Sequence, residues 1–350
     1  MTTVAIIIPY YQKRAGVLRR ALDSVVQQNV PPDVTVDVLV VDDGSPLPAE
    51  GEVAGLALPP AFHLRVIPQP NGGVGAARNT GLQHVGAATD YVAFLDSDDI
   101  WQPGYLAHAI TTLERGYDFY FCDTQRQGNP RTTFAEGFFE RFLASKQAVK
   151  IDDTVYELAK ESFFDHSLRG RVFRIPAIVY RRAVAPALSF DTSLRIAGED
   201  CLFLFQLLGL CRRFACTTQK LVIFADGVNI YAGKQGWDSP GHLSLYMGQL
   251  LAFYRWRENL RLSEKNRRFI DKRIRNVRRL FAFLTVRYFL KYRQRWSDEL
   301  VSMTRSDRLF WLWYPYYIVL VIIDYGLLGR RDFARLADPT ADEQMFDENP

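Results

Sequence analysis

The stretch Tyr91-Val-Ala-Phe-Leu-Asp-Ser-Asp-Asp-Ile100 decides how the rest of the chain is read. Its five leading apolar residues run without interruption, the pattern of a strand buried on both faces. The run empties into Asp96, Asp98 and Asp99. Three carboxylates so close together repel one another unless a cation or a row of donors neutralises them. Asp96 and Asp98 are two positions apart, so in an extended chain they point the same way and suit one hard cation, Mg2+ or Mn2+. In open α/β sheets, ligands bind beyond the carboxyl ends of the strands. The competing reading is an acidic strand-to-helix turn in which Asp98 or Asp99 caps a helix.

Upstream, Val4-Ala-Ile-Ile-Ile-Pro9 reads as a buried strand ended by the proline, and Ala15 to Gln28 as an amphipathic helix. Val36 to Val41 is a second buried strand closed by Asp42-Asp43-Gly44-Ser45, which by itself is also an ordinary turn. Leu64 to Ile67 makes a third strand, and Gly73 to Gln83 a helix with small residues at its start. Strand and helix alternate at short range, which predicts a mostly parallel, doubly wound α/β sheet. Asn71-Gly72-Gly73-Val74-Gly75 is either a flexible loop or a backbone that a phosphate can approach.

The bulk numbers agree with a folded protein. The 350 residues are 48% apolar and 23% charged, with a formal net charge of +4. Cys122, Cys201, Cys211 and Cys216 have neither zinc-ligand spacing nor a dense disulfide pattern, which suits a reducing compartment. The first apolar run is strand-sized and no basic segment precedes it, so no signal peptide is expected and the active part is expected in the cytosol.

Four motifs in order carry more than any one of them: strand-Pro-Tyr-Tyr, strand-Asp-Asp-Gly-Ser, a glycine loop before Ala76-Ala77-Arg78-Asn79, and strand-Asp-Ser-Asp-Asp. Together they resemble the family-2 glycosyltransferases of GT-A fold, over Val4 to Ile230, and are nearest to the bacterial succinoglycan-type exopolysaccharide glucosyltransferases. The nearer likeness rests on Ile8-Pro9-Tyr10-Tyr11-Gln12-Lys13, Gln69-Pro70-Asn71-Gly72-Gly73, Ala77-Arg78-Asn79-Thr80-Gly81-Leu82 and Val92 to Asp99. The resemblance implies a nucleotide-sugar site. Pro9 and Tyr11 line the base, Asp43 accepts a hydrogen bond from it, and Arg78 faces the nucleotide or its phosphates. Asp96 and Ser97 approach the nucleotide, with Asp96 on the ribose or the metal. Asp98 ligates Mg2+ or Mn2+ in a DXD motif, and Asp99 stands behind it. Without the resemblance, Arg78 reads as a surface salt bridge.

Further on, Arg174 to Tyr180 reads as a strand, and Glu199-Asp200 opens the apolar helix Cys201 to Leu210. An acidic pair there is ordinary capping and helix-dipole chemistry. The resemblance makes Asp200 the catalytic base and Glu199 an acceptor-positioning group, with exchange of the two roles left open. A sugar hydroxyl must lose its proton as it attacks, and one carboxylate in reach suffices. Direct attack opposite the leaving diphosphate inverts the anomeric centre. Arg195, Trp237 and Asp238 are acceptor-side candidates, although Trp237 reads equally as packing. His242 is either a further metal ligand or a surface histidine.

The C-terminal part differs. Arg255 to Trp296 carries fifteen Lys or Arg against three acids, interleaved with aromatics and leucines, and predicts a basic amphipathic helix pair. It suits an anionic membrane surface, nucleic acid, or simply a solvated face. Leu309 to Ile323 is apolar, rich in Trp and Tyr, interrupted by Pro315 and too short to span a bilayer. It is expected in the membrane plane, re-entrant, or buried in the protein. Four regions are expected: 1–124 for the nucleotide sugar, 125–250 for the acceptor, 251–336 helical and membrane-associated, and 337–350 an acidic disordered tail. The expected partners are a UDP-sugar, foremost UDP-glucose, a polyprenyl-diphosphate-linked oligosaccharide and the cytoplasmic face of a bacterial inner membrane. Galactose, rhamnose or a uronic acid in capsule or lipopolysaccharide synthesis is the alternative. A nucleic-acid-binding protein would leave the Asp-bearing strand ends unexplained, so no nucleic-acid partner is expected.

Overall fold

The continuous β-branched run near the N-terminus becomes strand β1 (Thr2–Tyr10), which lies between β2 (Val34–Asp42) and β4 (Tyr91–Phe94), parallel to both. Val4 to Ile8 are fully buried, as expected of a strand covered on both faces. The structure is a computed structural model that describes residues 1–136, 139–170, 172–225, 241–292 and 296–323. β3 (Phe62–Pro68) closes this side, parallel to β2. Helices α1 (Val17–Val26), α2 (Ala49–Val53) and α3 (Val74–Gln83) make the crossovers.

Pro9 was expected to end β1, yet the strand runs one residue further. Asp43 N donates to Tyr10 O (2.9 Å) on the β2 side, and Leu95 N donates to Ile7 O (3.1 Å) on the β4 side. Pro9, two residues beyond Ile7, therefore faces the β4 side just where β4 has left the sheet. Its missing N–H interrupts no ladder there.

The expected parallel order holds for β3-β2-β1-β4, and the sheet then becomes mixed. It continues through β9 (Ile178–Arg181), β6 (Phe119–Arg126), β10 (Phe214–Phe224), β8 (Val155–Leu158) and β7 (Ala148–Lys150). β5 (Ile100–Trp101) pairs with β10 off this path. β9 is antiparallel to both β4 and β6, while β6 and β10 are parallel. Burial patterns alone carry no strand direction, which is why the sequence misses this reversal. The single strand expected from Arg174 to Tyr180 is shorter. Ile175–Ala177 form a 3-10 turn, because Pro176 has no N–H for a ladder, and pairing starts at Ile178.

Helices α4 (Tyr105–Glu114), α5 (Thr133–Glu136), α6 (Phe139–Leu143), α7 (Lys160–Arg169) and α8 (Glu199–Leu210) complete this part. Neither Asp98 nor Asp99 caps a helix, since α4 starts only after Gly104. The chain divides into two compact units, Met1–Arg195 with Glu199–Ile230, and Ile196–Gly198 with Tyr231–Pro350. The second unit holds α9 (Gly241–Asn259), α10 (Glu264–Tyr292), α11 (Asp298–Ser306) and α12 (Phe310–Ile322). The boundary expected after residue 250 falls inside α9, so both halves of the expected sugar-transfer region meet in one sheet and the helical part begins earlier. The expected basic helix pair is the end of α9 followed by α10. The tail 337–350 lies outside the described residues.

α3 crosses β1 at Gly81, where a Cβ would collide with the Ile7 side chain. Gly81→Ala is expected to cost about 1–3 kcal/mol through overpacking. Gly51→Ala, where a Cβ meets open space, is the control and should be neutral or slightly stabilising. Urea midpoints of the two variants check this.

Candidate active site

Three strands of the parallel half release their chains at one edge of the sheet. β1 ends into Tyr11 and Gln12, β2 into Asp43, and β4 into Asp96 to Asp99. The first two turns are locked by their own polar groups. Asp42 accepts from Ser45 N and Ala49 N, both at 2.8 Å, and is the turn-forming member of the pair. Asp43 turns the other way. Its carboxylate accepts from Gln69 Nε2 (2.7 Å), Gly72 N (2.7 Å) and Gly73 N (2.8 Å). Gly73 sits at φ +89°, where a side chain would be strained, and this backbone presents its N–H to Asp43. Asp43 thus holds the glycine loop and opens α3 with a negative charge. Of the four acceptor positions of a carboxylate, one is left for a further donor.

Ser97 is buried and accepts from Gln12 Nε2 (3.1 Å), while Gln12 N donates to Ser45 Oγ (2.8 Å). Gln12 therefore ties all three strand-end turns together. Its place directly after Tyr11 is the only signal the sequence holds for this role. Pro9 is buried beneath the turn, whereas Tyr11 is 39% exposed and presents its ring to solvent.

Arg78 is not a surface salt bridge. It is buried on α3, and Nη2 donates to Asp96 Oδ1 at 2.7 Å. Nη1 lies 3.7 Å from Glu199 Oε1, and the guanidinium stands 5.3 Å from the centre of the Phe190 ring. Burial works against its charge, but Asp96, Glu199 and Asp200 outweigh that and hold it protonated. Nε and Nη1 are buried and make no hydrogen bond among the described residues.

The remaining carboxylates feel the same crowding without the same relief. Burial first, then Asp96, pushes Asp98 up to about 6. Burial, Asp96 and Asp98 raise Asp99 well above the carboxylate range, and its Oδ1 accepts from Ala225 N at 3.3 Å. Burial and the adjacent Asp200 push Glu199 up to about 7, against the pull of Arg78. Asp200 Oδ1 accepts from Cys201 N at 2.7 Å at the start of α8.

A clamp that sequence reading missed brings this acidic pair to α3. Asn79 Nδ2 donates to Phe190 O (2.9 Å) and Phe190 N donates to Asn79 Oδ1 (2.7 Å), across 111 positions. Phe190 stacks on Phe203 of α8 with centroids 4.0 Å apart. One sequence holds no signal for a pairing that distant. Arg195 lies against the glycine loop, its Nε 3.8 Å from where a Cβ on Gly73 would stand. Trp237 and Asp238 lie outside the described residues. His242 belongs to the second unit, where it is buried beside Tyr246 at 4.9 Å, so it is not a surface histidine.

Among the described residues, no three His, Cys, Asp or Glu side chains converge to hold a metal by themselves. Asp96 is engaged by Arg78, which leaves Asp98 as the freer carboxylate. One or two carboxylates fit an ion such as Mg2+ that takes its other oxygens from substrate phosphates and water. The raised Asp98 also marks a place where a cation relieves repulsion.

Residues 5–164 match the family model described as glycosyl transferase family 2. Succinoglycan biosynthesis protein ExoW of Rhizobium meliloti (strain 1021) is 34% identical over 250 residues, 69% of this chain and 75% of that protein. The chain belongs to glycosyl transferase family 2. The transferase is also 26% identical to the uncharacterized glycosyltransferase EpsJ of Bacillus subtilis (strain 168), over 65% of this chain and 62% of that one. Its fold is that of the GT-A glycosyltransferases. S. aureus TarS 1-349 in complex with UDP-GlcNAc superposes with a TM-score of 0.58 at 19% identity, covering 99% of this chain and 89% of that one. The mannosyltransferase PcManGT of Pyrobaculum calidifontis, in complex with GDP-Man and Mn2+, gives 0.50 at 14% identity, with 93% and 87% covered.

Removing Arg78 leaves the part-buried carboxylates of Asp96 and Glu199 without their cation. Arg78→Met is expected to destabilise the fold by about 3–5 kcal/mol, and Arg78→Met with Glu199→Gln to recover part of that. Denaturant unfolding of both variants checks the pairing.

Proposed function

We propose that this transferase moves glucose from UDP-glucose, with inversion, onto an oligosaccharide carried on a polyprenyl diphosphate, at the cytoplasmic face of a bacterial inner membrane. The observation that carries the donor half is the set of three strand-end turns, with Asp43, Arg78 and Asp98 at one sheet edge. The likeness to a succinoglycan biosynthesis protein supports sugar transfer in exopolysaccharide synthesis. UDP-GlcNAc in TarS and GDP-Man with Mn2+ in PcManGT support a nucleotide-sugar donor and a divalent cation.

The residues then take these roles. The exposed Tyr11 ring packs on the uracil, and the remaining acceptor position of Asp43 takes a donor from the base. Asp98, with Asp96 beside it, would hold Mg2+ or Mn2+. The ion supplies Lewis-acid stabilisation of the charge that develops on the leaving UDP. Arg78, whose Nε and Nη1 make no hydrogen bond among the described residues, adds a fixed positive charge on the donor side. Asp200 accepts the proton of the acceptor hydroxyl as its oxygen bonds to the anomeric carbon and the bond to UDP breaks. Glu199, held by Arg78, positions rather than deprotonates. A carboxylate already drawn toward a buried guanidinium is the poorer choice for a group that must approach a bulky sugar.

Asp200→Asn is expected to keep UDP binding within about threefold and to lower the transfer rate by about 10²–10⁴. Asp98→Asn is expected to weaken binding of UDP only when Mn2+ is present, and chelation with EDTA to stop transfer. Calorimetric titration with UDP, with and without Mn2+, reads the binding, and UDP-release assays across a donor panel, with membrane extract as acceptor source, read the transfer. Transfer by Asp200→Asn at near the wild-type rate contradicts the base assignment.

A further inference from the structure

α12 is apolar around its whole circumference, and only half of it is used by the fold. Phe310, Trp313, Tyr317 and Val321 are buried. Inside the unit, Phe310 and Trp313 pack on Phe281 of α10, and Tyr314 OH donates to Thr285 Oγ1 at 2.9 Å. The other half carries Trp311, Leu312, Tyr316, Val319 and Ile322, each between 54% and 75% exposed. With Pro315 and Ile323 they fall at helical spacing on one face. Apart from the adjacent Phe289 and Leu290 on α10, large exposed apolar residues elsewhere in the described chain lie singly or in twos, whereas these form a contiguous face, which marks a contact surface.

Charge tells what the surface meets. Across residues 305–323 the only acid is Asp307, and it points inward. It is buried and accepts from Tyr254 OH (2.9 Å) and Trp313 Nε1 (2.6 Å). The two cations of the same stretch are exposed, Arg305 in the last turn of α11 and Arg308 two residues before α12. Among residues 305–323 the exposed surface is therefore basic and aromatic with no exposed negative charge, the complement of anionic headgroups over hydrocarbon. At 1.5 Å per residue the 13 residues of α12 reach about 20 Å, short of the roughly 30 Å of a bilayer core. Among the described residues no helix is long and apolar enough to cross a membrane.

We infer that the outward face of α12, headed by Arg305 and Arg308, beds in the plane of an anionic lipid surface. Its aromatic and aliphatic side chains sit at headgroup depth, and its inward face stays locked to α10. This goes further than the membrane location proposed above by naming the face. It is independent of the donor, metal and base assignments.

The test is co-sedimentation of the full chain with vesicles of phosphatidylcholine alone or mixed with phosphatidylglycerol. The wild type is expected to bind the mixed vesicles and to release in high salt. Trp311→Gln/Leu312→Gln/Val319→Gln changes exposed positions only and should weaken binding at least tenfold. Arg305→Glu/Arg308→Glu should abolish the preference for phosphatidylglycerol. Donor hydrolysis, read as UDP release without vesicles, should be unchanged in both, which separates failure of this inference from failure of the site. Undiminished binding by the triple variant, or a wild type that ignores vesicles, overturns the inference. So does a dimer in light scattering that the triple variant dissolves without any vesicle binding, because the face then belongs to a second copy.

Discussion

A single buried guanidinium holds the donor end of this protein to its acidic helix start. Arg78 bonds Asp96 at 2.7 Å and stands 3.7 Å from Glu199, three charges that would each be costly to bury alone. Asp96 comes from the end of β4 and Glu199 from the start of α8, so the two halves of the sheet are linked by charge as well as by strand pairing. The linkage also sorts the carboxylates. Asp96 and Glu199 are drawn to Arg78, whereas Asp98 and Asp200, the other member of each acidic pair, are not paired with it. The proposed metal ligand and base are those two.

The surrounding bonds explain why such a cluster can be assembled at all. Asp43 pins the glycine loop, Gln12 ties the β1, β2 and β4 turns, and the Asn79–Phe190 clamp draws the segment before α8 onto α3. Each is a short polar bond in a buried or part-buried setting, where losing one partner strands the other. The site is thus built from rigid strand ends, and its repulsions are set by the protein rather than by solvent.

The strand ends were legible because a buried parallel strand is a bare apolar run that can end only in a turn, and the turns here are acidic. Asp43, Asp96 and Asp98 stand out for that reason, and the four strands of the parallel half come within two residues of their reading. The direction of β9 was not legible, because Ile178 to Arg181 look alike whichever way they run. Pro176 shortened that strand for a local reason that the sequence did contain. The partnerships of Gln12 with Ser97 and of Asn79 with Phe190 join residues far apart in the chain, and nothing in either segment names the other. α12 was ambiguous for a physical reason: a helix apolar on every side does not say which side the protein uses. Its contacts with α10 divide it into an inward and an outward half.

The most direct test of the account is a crystal structure of the chain grown with UDP and Mn2+. It should place the uracil beside Tyr11 and Asp43, the ion between Asp98 and the diphosphate, and Arg78 still bonded to Asp96, with Asp200 facing the open side of the diphosphate. Nucleotide bound away from these strand ends, or an ion that Asp98 does not touch, would contradict it.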